Sequence, residues 1–289
     1  MKPAPFEYVA PTTLDQAVQY LAQASGDAKI LAGGQSLMPI LNMRLARPEQ
    51  LIDLGRVREL DSIREEEGCL AIGAMTTKRS IERSELVASR LPLLLEATRN
   101  IAHPQIRNRG TIGGSMAHAD PAAEYPAVAL ALDAEFRAVG PAGERTVAAS
   151  DFFVTYLTTA LAPDEILVEV RLPLLPDGHG WAFEEISRRH GDFAMTGATV
   201  TCSLDAGGAY SQVRIVLFGV AATPVRPLEA EEGLRGQVPS DTLHRETAQA
   251  IAHGLDEPLS DTHASADYRR QLAAVVCRRA LEAAAQRAG

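Results

Sequence analysis

Hydrophobic and polar positions along the chain switch between helical and strand-like periods, and they fall into three stretches. In the first, Leu14, Ala17, Val18 and Leu21 share one helical face, and Thr13 with Gln16 gives a capping-box start. Residues 28–32 and 51–54 read as short buried strands, with a short helix over 37–45 between them. The second stretch opens with a strand at 70–74 and continues with helices over 81–87 and 92–101. Asp120 and Pro121 then form an N-cap and N1 pair for a helix running toward Leu132. A hairpin of 135–139 and 145–148 turns at Gly140-Pro141-Ala142-Gly143, and a further strand covers 165–172. Pro173, Pro176 and Gly178 mark the clearest break. Beyond it, 182–186, 198–204 and 212–220 predict an antiparallel meander that turns at Asp205-Ala206-Gly207-Gly208, and helices follow over 228–234, 241–252 and 266–287. The fold class is therefore α+β, in units of 1–55, 56–176 and 177–289, matching the two or three cores expected for 289 residues.

Two glycine-paired loops interrupt this pattern about eighty residues apart, Ala32-Gly33-Gly34-Gln35-Ser36-Leu37 and Gly110-Thr111-Ile112-Gly113-Gly114-Ser115. Adjacent glycines reach backbone conformations closed to other residues and present no Cβ to an approaching ligand. Successive N–H groups in such turns make anion-binding concavities. Hydroxyl neighbours recur in both loops, at Ser36 and at Thr111 and Ser115. Neither loop contains G-x-G-x-x-G or a Gly-Lys-Ser/Thr ending, which disfavours a nicotinamide-type Rossmann domain and nucleotide hydrolysis. A ligand gripped by loops of the first two units lies in the cleft between them.

The stretches 30–37 and 105–115 strongly resemble the FAD-binding medium subunit of molybdenum hydroxylases, the carbon monoxide dehydrogenase and xanthine dehydrogenase superfamily. Further matches follow in order: Phe6-Glu7-Tyr8, Arg47-Pro48, Leu51-Ile52-Asp53-Leu54, Ile72-Gly73-Ala74-Met75-Thr76-Thr77, Glu165-Ile166-Leu167, Arg171-Leu172-Pro173 and Arg188 to Ala194. The resemblance spans nearly the whole chain. It implies a bilobal flavin-binding domain of the vanillyl-alcohol-oxidase type, followed by a C-terminal antiparallel sheet with helices.

Composition is that of an ordinary globular protein, with 46% hydrophobic and 22% charged residues. A formal charge of −9 argues against a nucleic-acid or anionic-membrane surface. No apolar run approaches the roughly 20 residues of a membrane span. The opening Met1-Lys2-Pro3-Ala4-Pro5 has no apolar signal core, so a cytoplasmic location is expected. Cys69, Cys202 and Cys277 are scattered, with no spacing suited to zinc or an iron–sulfur cluster. Any clusters of the family's electron-transfer chain must then sit on another polypeptide.

By the resemblance, Ile30, Leu31, Ala32, Gly33, Gly34, Gln35, Ser36 and Leu37 wrap the diphosphate and inner flavin edge. Thr111, Ile112, Gly113, Gly114 and Ser115 bind diphosphate and ribityl through the backbone of the second lobe. Ile101 aligns beside the cofactor, and Glu124 aligns with an acidic residue that accepts from a cofactor hydroxyl or the adenine amine. Glu124 reads equally as a charge in the first turn of a helix. Ile166 and Leu167 align with a strand whose backbone meets the cofactor, Phe193 with a residue near the reactive edge, and His118 lies just past the second loop. Helix capping is the expected role of His103. Gln35 stands where a covalent link to flavin would need His or Cys, so FAD is expected to bind non-covalently. Glu184-Glu185 replaces a segment in which family members often carry Lys, and two carboxylates there are expected to make the local potential negative. No catalytic side chain or metal ligand is assigned in this chain, because the redox chemistry resides in the flavin. The implied partners are a large molybdopterin subunit and a small subunit bearing two [2Fe–2S] clusters, in a dimer of heterotrimers that passes electrons to an external acceptor. Gln35 and Ser115 replace the His and Asn associated with carbon monoxide dehydrogenases, which favours an organic substrate for the complex. The alternatives are a stand-alone FAD oxidoreductase of the same fold and a cofactor-free assembly module.

Overall fold

The protein is described by a computed structural model covering residues 2–24 and 27–288, so the expected ranges 1–55 and 177–289 begin and end outside it, at Met1 and Gly289. Its first unit contains β1 (Glu7–Val9), α1 (Leu14–Gln23), β2 (Ala28–Leu31), α2 (Leu37–Asn42) and β3 (Gln50–Asp53). The strands form a parallel sheet in the order β1-β3-β2. Thr13 caps α1 by accepting from Gln16 N, whereas the reciprocal Gln16 Oε1 takes the Thr12 amide rather than that of Thr13. The box is thus displaced by one residue.

The second unit is built from β4 (Ile63–Glu66), β5 (Cys69–Gly73), α3 (Lys78–Arg83), α4 (Glu85–Arg90), α5 (Pro92–Asn100), α6 (Pro104–Arg107), α7 (Ile112–His118), α8 (Glu124–Ala131), β6 (Glu135–Gly140), β7 (Gly143–Ala148), α9 (Ala149–Phe152), β8 (Phe153–Thr155), β9 (Thr158–Thr159) and β10 (Ile166–Pro173). A five-stranded antiparallel sheet runs β4-β5-β10-β6-β7, with β10 at its centre. One face of β10 sends Val170 and Leu172 into the main core with Leu70, Phe136 and Phe152. The other sends Ile166 and Val168 against Ala17, Ile52 and Leu54 of the first unit. The bulge between Leu167 and Glu169 shifts the alternation by one residue, so this half-polar-looking strand joins two cores.

Three boundaries differ from expectation, each for a local reason. The single helix over 81–87 is split at Ser84, whose extended backbone ends α3 and whose hydroxyl accepts from Val87 N to start α4. Asp120 makes a turn, accepting from the Ala122 amide, and Ala123 is the actual cap of α8. The second glycine loop is itself the start of α7, a helix the glycines concealed.

The third unit is the meander β11 (Gly180–Ser187), β12 (Ala194–Leu204) and β13 (Tyr210–Phe218), then α10 (Leu228–Leu234), α11 (Asp241–His253) and α12 (Ala266–Arg287). Helix α12 lies across β11 and β12, burying Ala273, Val276, Cys277, Ala280 and Leu281. The opposite face, through Phe183, Val216 and Phe218, completes the core of the second unit. None of the described helices is long and apolar enough to cross a membrane.

Candidate functional site

Strand β2 delivers its chain into the segment Ala32–Ser36, which turns directly into α2. Every residue from Ile30 to Leu37 is half-buried. Gly34 takes φ +72°, a conformation costing an L-residue about 1–2 kcal/mol. Met38 N returns to Gly34 O at 3.1 Å, and Gln35 folds back so that its Nε2 donates to Gly33 O at 3.0 Å. Among the described residues, no oxygen accepts from the five consecutive amides of Gly33 to Leu37. A partly solvated run of open N–H groups is a ready nest for an anionic oxygen.

The second loop has a different character. Ile112 N donates to Thr76 O, Gly113 N to Ala74 O, Gly114 N to Thr111 Oγ1 and Ser115 N to Thr111 O, all between 2.9 and 3.2 Å. The expected bare amides here are thus already engaged within the protein. What this loop presents is the positive end of α7, together with the half-buried side chains of Ser115 and His118. Burial holds the His118 imidazole below its ordinary pKa, with Asp120 opposing and Lys78 adding to the shift.

The two loops meet. A Cβ on Gly33 would fall on the Arg109 carbonyl oxygen, 2.7 Å from Gly110 Cα, and one on Gly114 would lie 3.3 Å from Ala32 Cβ and 4.0 Å from Gly33 N. A Cβ on Gly113 would press on Ala74, 2.7 Å from its Cα. Gly33 and Gly113 are therefore demanded by close approaches of the protein's own backbone, Gly114 by the Thr111 hydroxyl 2.9 Å from where its Cβ would stand, and Gly34 by its dihedral. The pairs were expected to make room for a ligand; they also let one lobe rest on the other.

The remaining candidates are dispersed around this junction. Ile101 ends α5 with its side chain in the core; Arg107 holds the turn by donating to the Ile101 and Ala102 carbonyls at 2.9 Å and pairs with Glu82 at 3.1 Å. Ile166 and Leu167 point into separate cores, so only their backbone can face a ligand, beside the bulge that precedes Glu169. Phe193 is 69% exposed at the end of the loop joining β11 to β12. That loop packs against the α5–α6 junction, where a Cβ on Gly191 would lie 2.6 Å from His103 Nδ1. His103 precedes Pro104 at the start of α6 and makes no side-chain cap, contrary to expectation; its carbonyl accepts from Ile106 and Arg107 instead.

Glu124 is 7% exposed in the first turn of α8 and sits inside the second lobe, near Lys78, which is 9% exposed. Lys78 escaped notice because a lone Lys at a helix start ordinarily reads as solvated. Here its stem lies against Gly110 and its Nζ stands 5.5 Å from the centre of the Tyr125 ring. Burial raises Glu124 to about 7, opposed by Lys78. The expectation of two anions at Glu184-Glu185 is corrected by the strand period: Glu184 turns toward Arg279 and Arg287 of α12, and Glu185 alone turns toward Glu124. Burial, then the charge of Glu124, raises Glu185 to about 8, which keeps it mostly protonated at neutral pH. Among the described residues no group of three or more His, Cys, Asp or Glu is placed to hold a metal ion.

Comparison with known proteins agrees with this geometry. Residues 4–175 match the family model described as the FAD binding domain in molybdopterin dehydrogenase, and residues 181–284 match the CO dehydrogenase flavoprotein C-terminal domain. The chain is 45% identical to the 6-hydroxypseudooxynicotine dehydrogenase complex subunit alpha of Paenarthrobacter nicotinovorans, over 100% of this chain and 97% of that protein. It is 43% identical to the carbon monoxide dehydrogenase medium chain of Hydrogenophaga pseudoflava, covering 98% of each. The structure superposes on carbon monoxide dehydrogenase from Hydrogenophaga pseudoflava with a TM-score of 0.96 over 100% of both chains at 43% identity. On quinoline 2-oxidoreductase from Pseudomonas putida 86 the TM-score is 0.94 over 99% of both at 38% identity. A flavin-binding fold matched from end to end shows that the chain belongs to the FAD-binding medium subunits of molybdenum hydroxylases.

Proposed function

We propose that this chain is the electron-output subunit of a heteromeric molybdenum hydroxylase. A large molybdopterin subunit would hydroxylate the substrate, and electrons would cross two [2Fe–2S] clusters of a small subunit to FAD held non-covalently here, leaving to an external acceptor. The assembly proposed is a cytoplasmic dimer of heterotrimers. The observation that carries this reading is the run of five open amides from Gly33 to Leu37, facing the N-terminus of α7 across a backbone-to-backbone contact.

Those amides would hold the diphosphate oxygens, at about 1.5–3 kcal/mol for each bond to a charged acceptor. Ile30, Leu31 and Ala32 would line the apolar side of the groove. Thr111 fixes the first turn of α7, in which Ile112, Gly113 and Gly114 bring backbone close, and Ser115 and His118 would bond ribityl hydroxyls or diphosphate oxygens. Ile101, Phe193 and the backbone at Ile166 and Leu167 would flank the ring. When bound, FAD supplies one- and two-electron chemistry, which couples single-electron clusters to a two-electron acceptor. Relatives 38–45% identical over nearly their full length belong to enzymes named for carbon monoxide, a nicotine derivative and quinoline. A subunit kept so similar across those substrates serves a step they share, which supports electron output rather than substrate binding.

The test is purification from its native host followed by visible spectroscopy and mass spectrometry of partner chains. The expected result is a flavin spectrum releasable by acid, with one large and one small partner. A flavin-free chain that purifies alone would overturn the proposal.

A further inference from the structure

The turn that leaves α2 carries apolar side chains outward. Arg44 N donates to Leu41 O at 2.9 Å and Leu45 N to Ile40 O at 3.0 Å, the paired bonds of a Schellman motif at a helix end. Arg44 holds the left-handed position at φ +58°, which glycine fills with least strain. The hydrophobic residue after such a position commonly packs back on the last helical turn. Leu45 does not: it is 74% exposed, and Met43 on the other side of Arg44 is 52% exposed. The turn is nevertheless fixed in place. Arg44 Nε donates to Lys2 O at 3.2 Å, which ties the N-terminal arm to it, and Arg47 Nε donates to Arg44 O at 3.4 Å.

We propose that this turn is a docking point for the iron–sulfur subunit that delivers electrons to the flavin, an inference that rests on the electron-output reading above. Helix α2 starts at the open amides and is six residues long, so the turn stands about 9 Å from the diphosphate nest along the helix. Electron transfer weakens steeply with distance, so a donor has to seat itself beside the flavin pocket, and the fold places exposed apolar surface there. The composition suits a protein partner. Met and Arg are enriched at protein–protein interfaces, where a few apolar anchors carry most of the affinity. The turn holds one shape before any partner arrives, which lowers the ordering cost of binding. Arg44 and Arg47 are exposed and bond main-chain carbonyls rather than carboxylates, so their charge fits an acidic rim on the partner. Glycine would suit position 44 better as a turn; arginine adds a cation to the surface that docks. A lipid surface fits less well, because a chain with a formal charge of −9 is repelled by anionic headgroups.

The test uses the complete complex purified from its native host, with Leu45→Asp and Met43→Asp introduced singly and together. Flavin content reports whether the first lobe is intact, and mass photometry on dilution gives the concentration at which the small subunit leaves. Each substitution is expected to raise that concentration about 10- to 30-fold with flavin content unchanged. Val238→Asp, at a comparably exposed apolar residue between α10 and α11, is expected to leave it unchanged. Arg44→Gly serves if the Asp variants lose flavin. Glycine suits the left-handed position, so the urea midpoint should hold or rise while release of the small subunit becomes less dependent on salt. Native release of the small subunit from the double variant, or native salt dependence in Arg44→Gly, would overturn the docking point alone. So would loss of the large subunit instead, or binding of the native chain to anionic phospholipid vesicles that the double variant lacks. An unsubstituted chain that purifies without a small subunit would overturn the electron-output reading, and this inference with it.

Discussion

Replacing Gly33 with Ala tests the contact on which the cleft is built. The new Cβ would fall on the Arg109 carbonyl oxygen, 2.7 Å from Gly110 Cα and 2.9 Å from the Arg109 carbonyl carbon. Ordinary carbon–carbon contacts begin near 3.5 Å, so the loops must part by about 1 Å. All three obstructing atoms are backbone, and no rotamer change relieves them. The Gly110 amide and carbonyl are themselves bonded, to Ile106 O and Lys78 N, which resists the movement from behind. Overpacking of this kind costs about 1–3 kcal/mol. If the strain is relieved by opening the cleft, flavin affinity falls by about 5- to 150-fold at 1.4 kcal/mol per decade. Fluorescence titration of the flavin-free chain with FAD measures this, and urea unfolding shows how much of the loss is stability. Gly113→Ala serves as comparison, because its clash is with Ala74 inside the second lobe. Native affinity and native unfolding in Gly33→Ala would refute the account of how the lobes meet.

Thr111→Val removes the hydroxyl that accepts from Gly114 N at 3.0 Å, and is expected to cost about 0.5–2 kcal/mol in urea unfolding and to weaken FAD retention. Stability should fall as pH rises from about 4.5 to about 8, because folded Glu124 and Glu185 keep protons that the unfolded chain releases. Denaturation midpoints at fixed pH values should show this slope reduced in Glu185→Gln. On the acid side the sign reverses for Glu82: Arg79 and Arg107 hold it below the usual carboxylate range against burial, and its contribution is lost as pH drops below about 4.5. Tyr210→Phe leaves His244 Nε2 without its 2.7 Å partner in a ring whose Nδ1 is already unpaired, and should destabilise the C-terminal domain by about 1–3 kcal/mol. An unchanged urea midpoint would show that bond to be immaterial.

The parts of the fold legible in sequence were those with a strong period and clear punctuation. The last three helices follow their hydrophobic spacing almost to the residue, with Ser240 and Ser265 capping α11 and α12. The meander is found in order, although β12 starts at Ala194, four residues earlier than its spacing predicts. What escaped was short or polar. Strand β1 is three residues with two exposed, and β4 is Ile63-Arg64-Glu65-Glu66, three of its four residues charged, so neither offers an apolar run. Helix α7 was hidden because Ile112-Gly113-Gly114-Ser115 reads as a turn, and only the docking of Gly113 on Ala74 makes a helix of it. The resemblance located both glycine loops, but which amides are open depends on the distant partners Thr76 and Ala74. Lys78 belongs to the same class: it looks like an ordinary surface charge until Tyr125 of α8 packs beside it.

The resting of Gly33 on the Arg109–Gly110 peptide sets how far apart the two halves stand. That spacer is main chain on main chain, with no rotamers to adjust so long as Gly33 stays glycine. Residues lining the walls can therefore drift to suit different redox partners or acceptors while the gap itself keeps its gauge. Fine-tuning of the cofactor then falls to the periphery, through what the walls carry in charge and polarity, and not through its grip on the diphosphate.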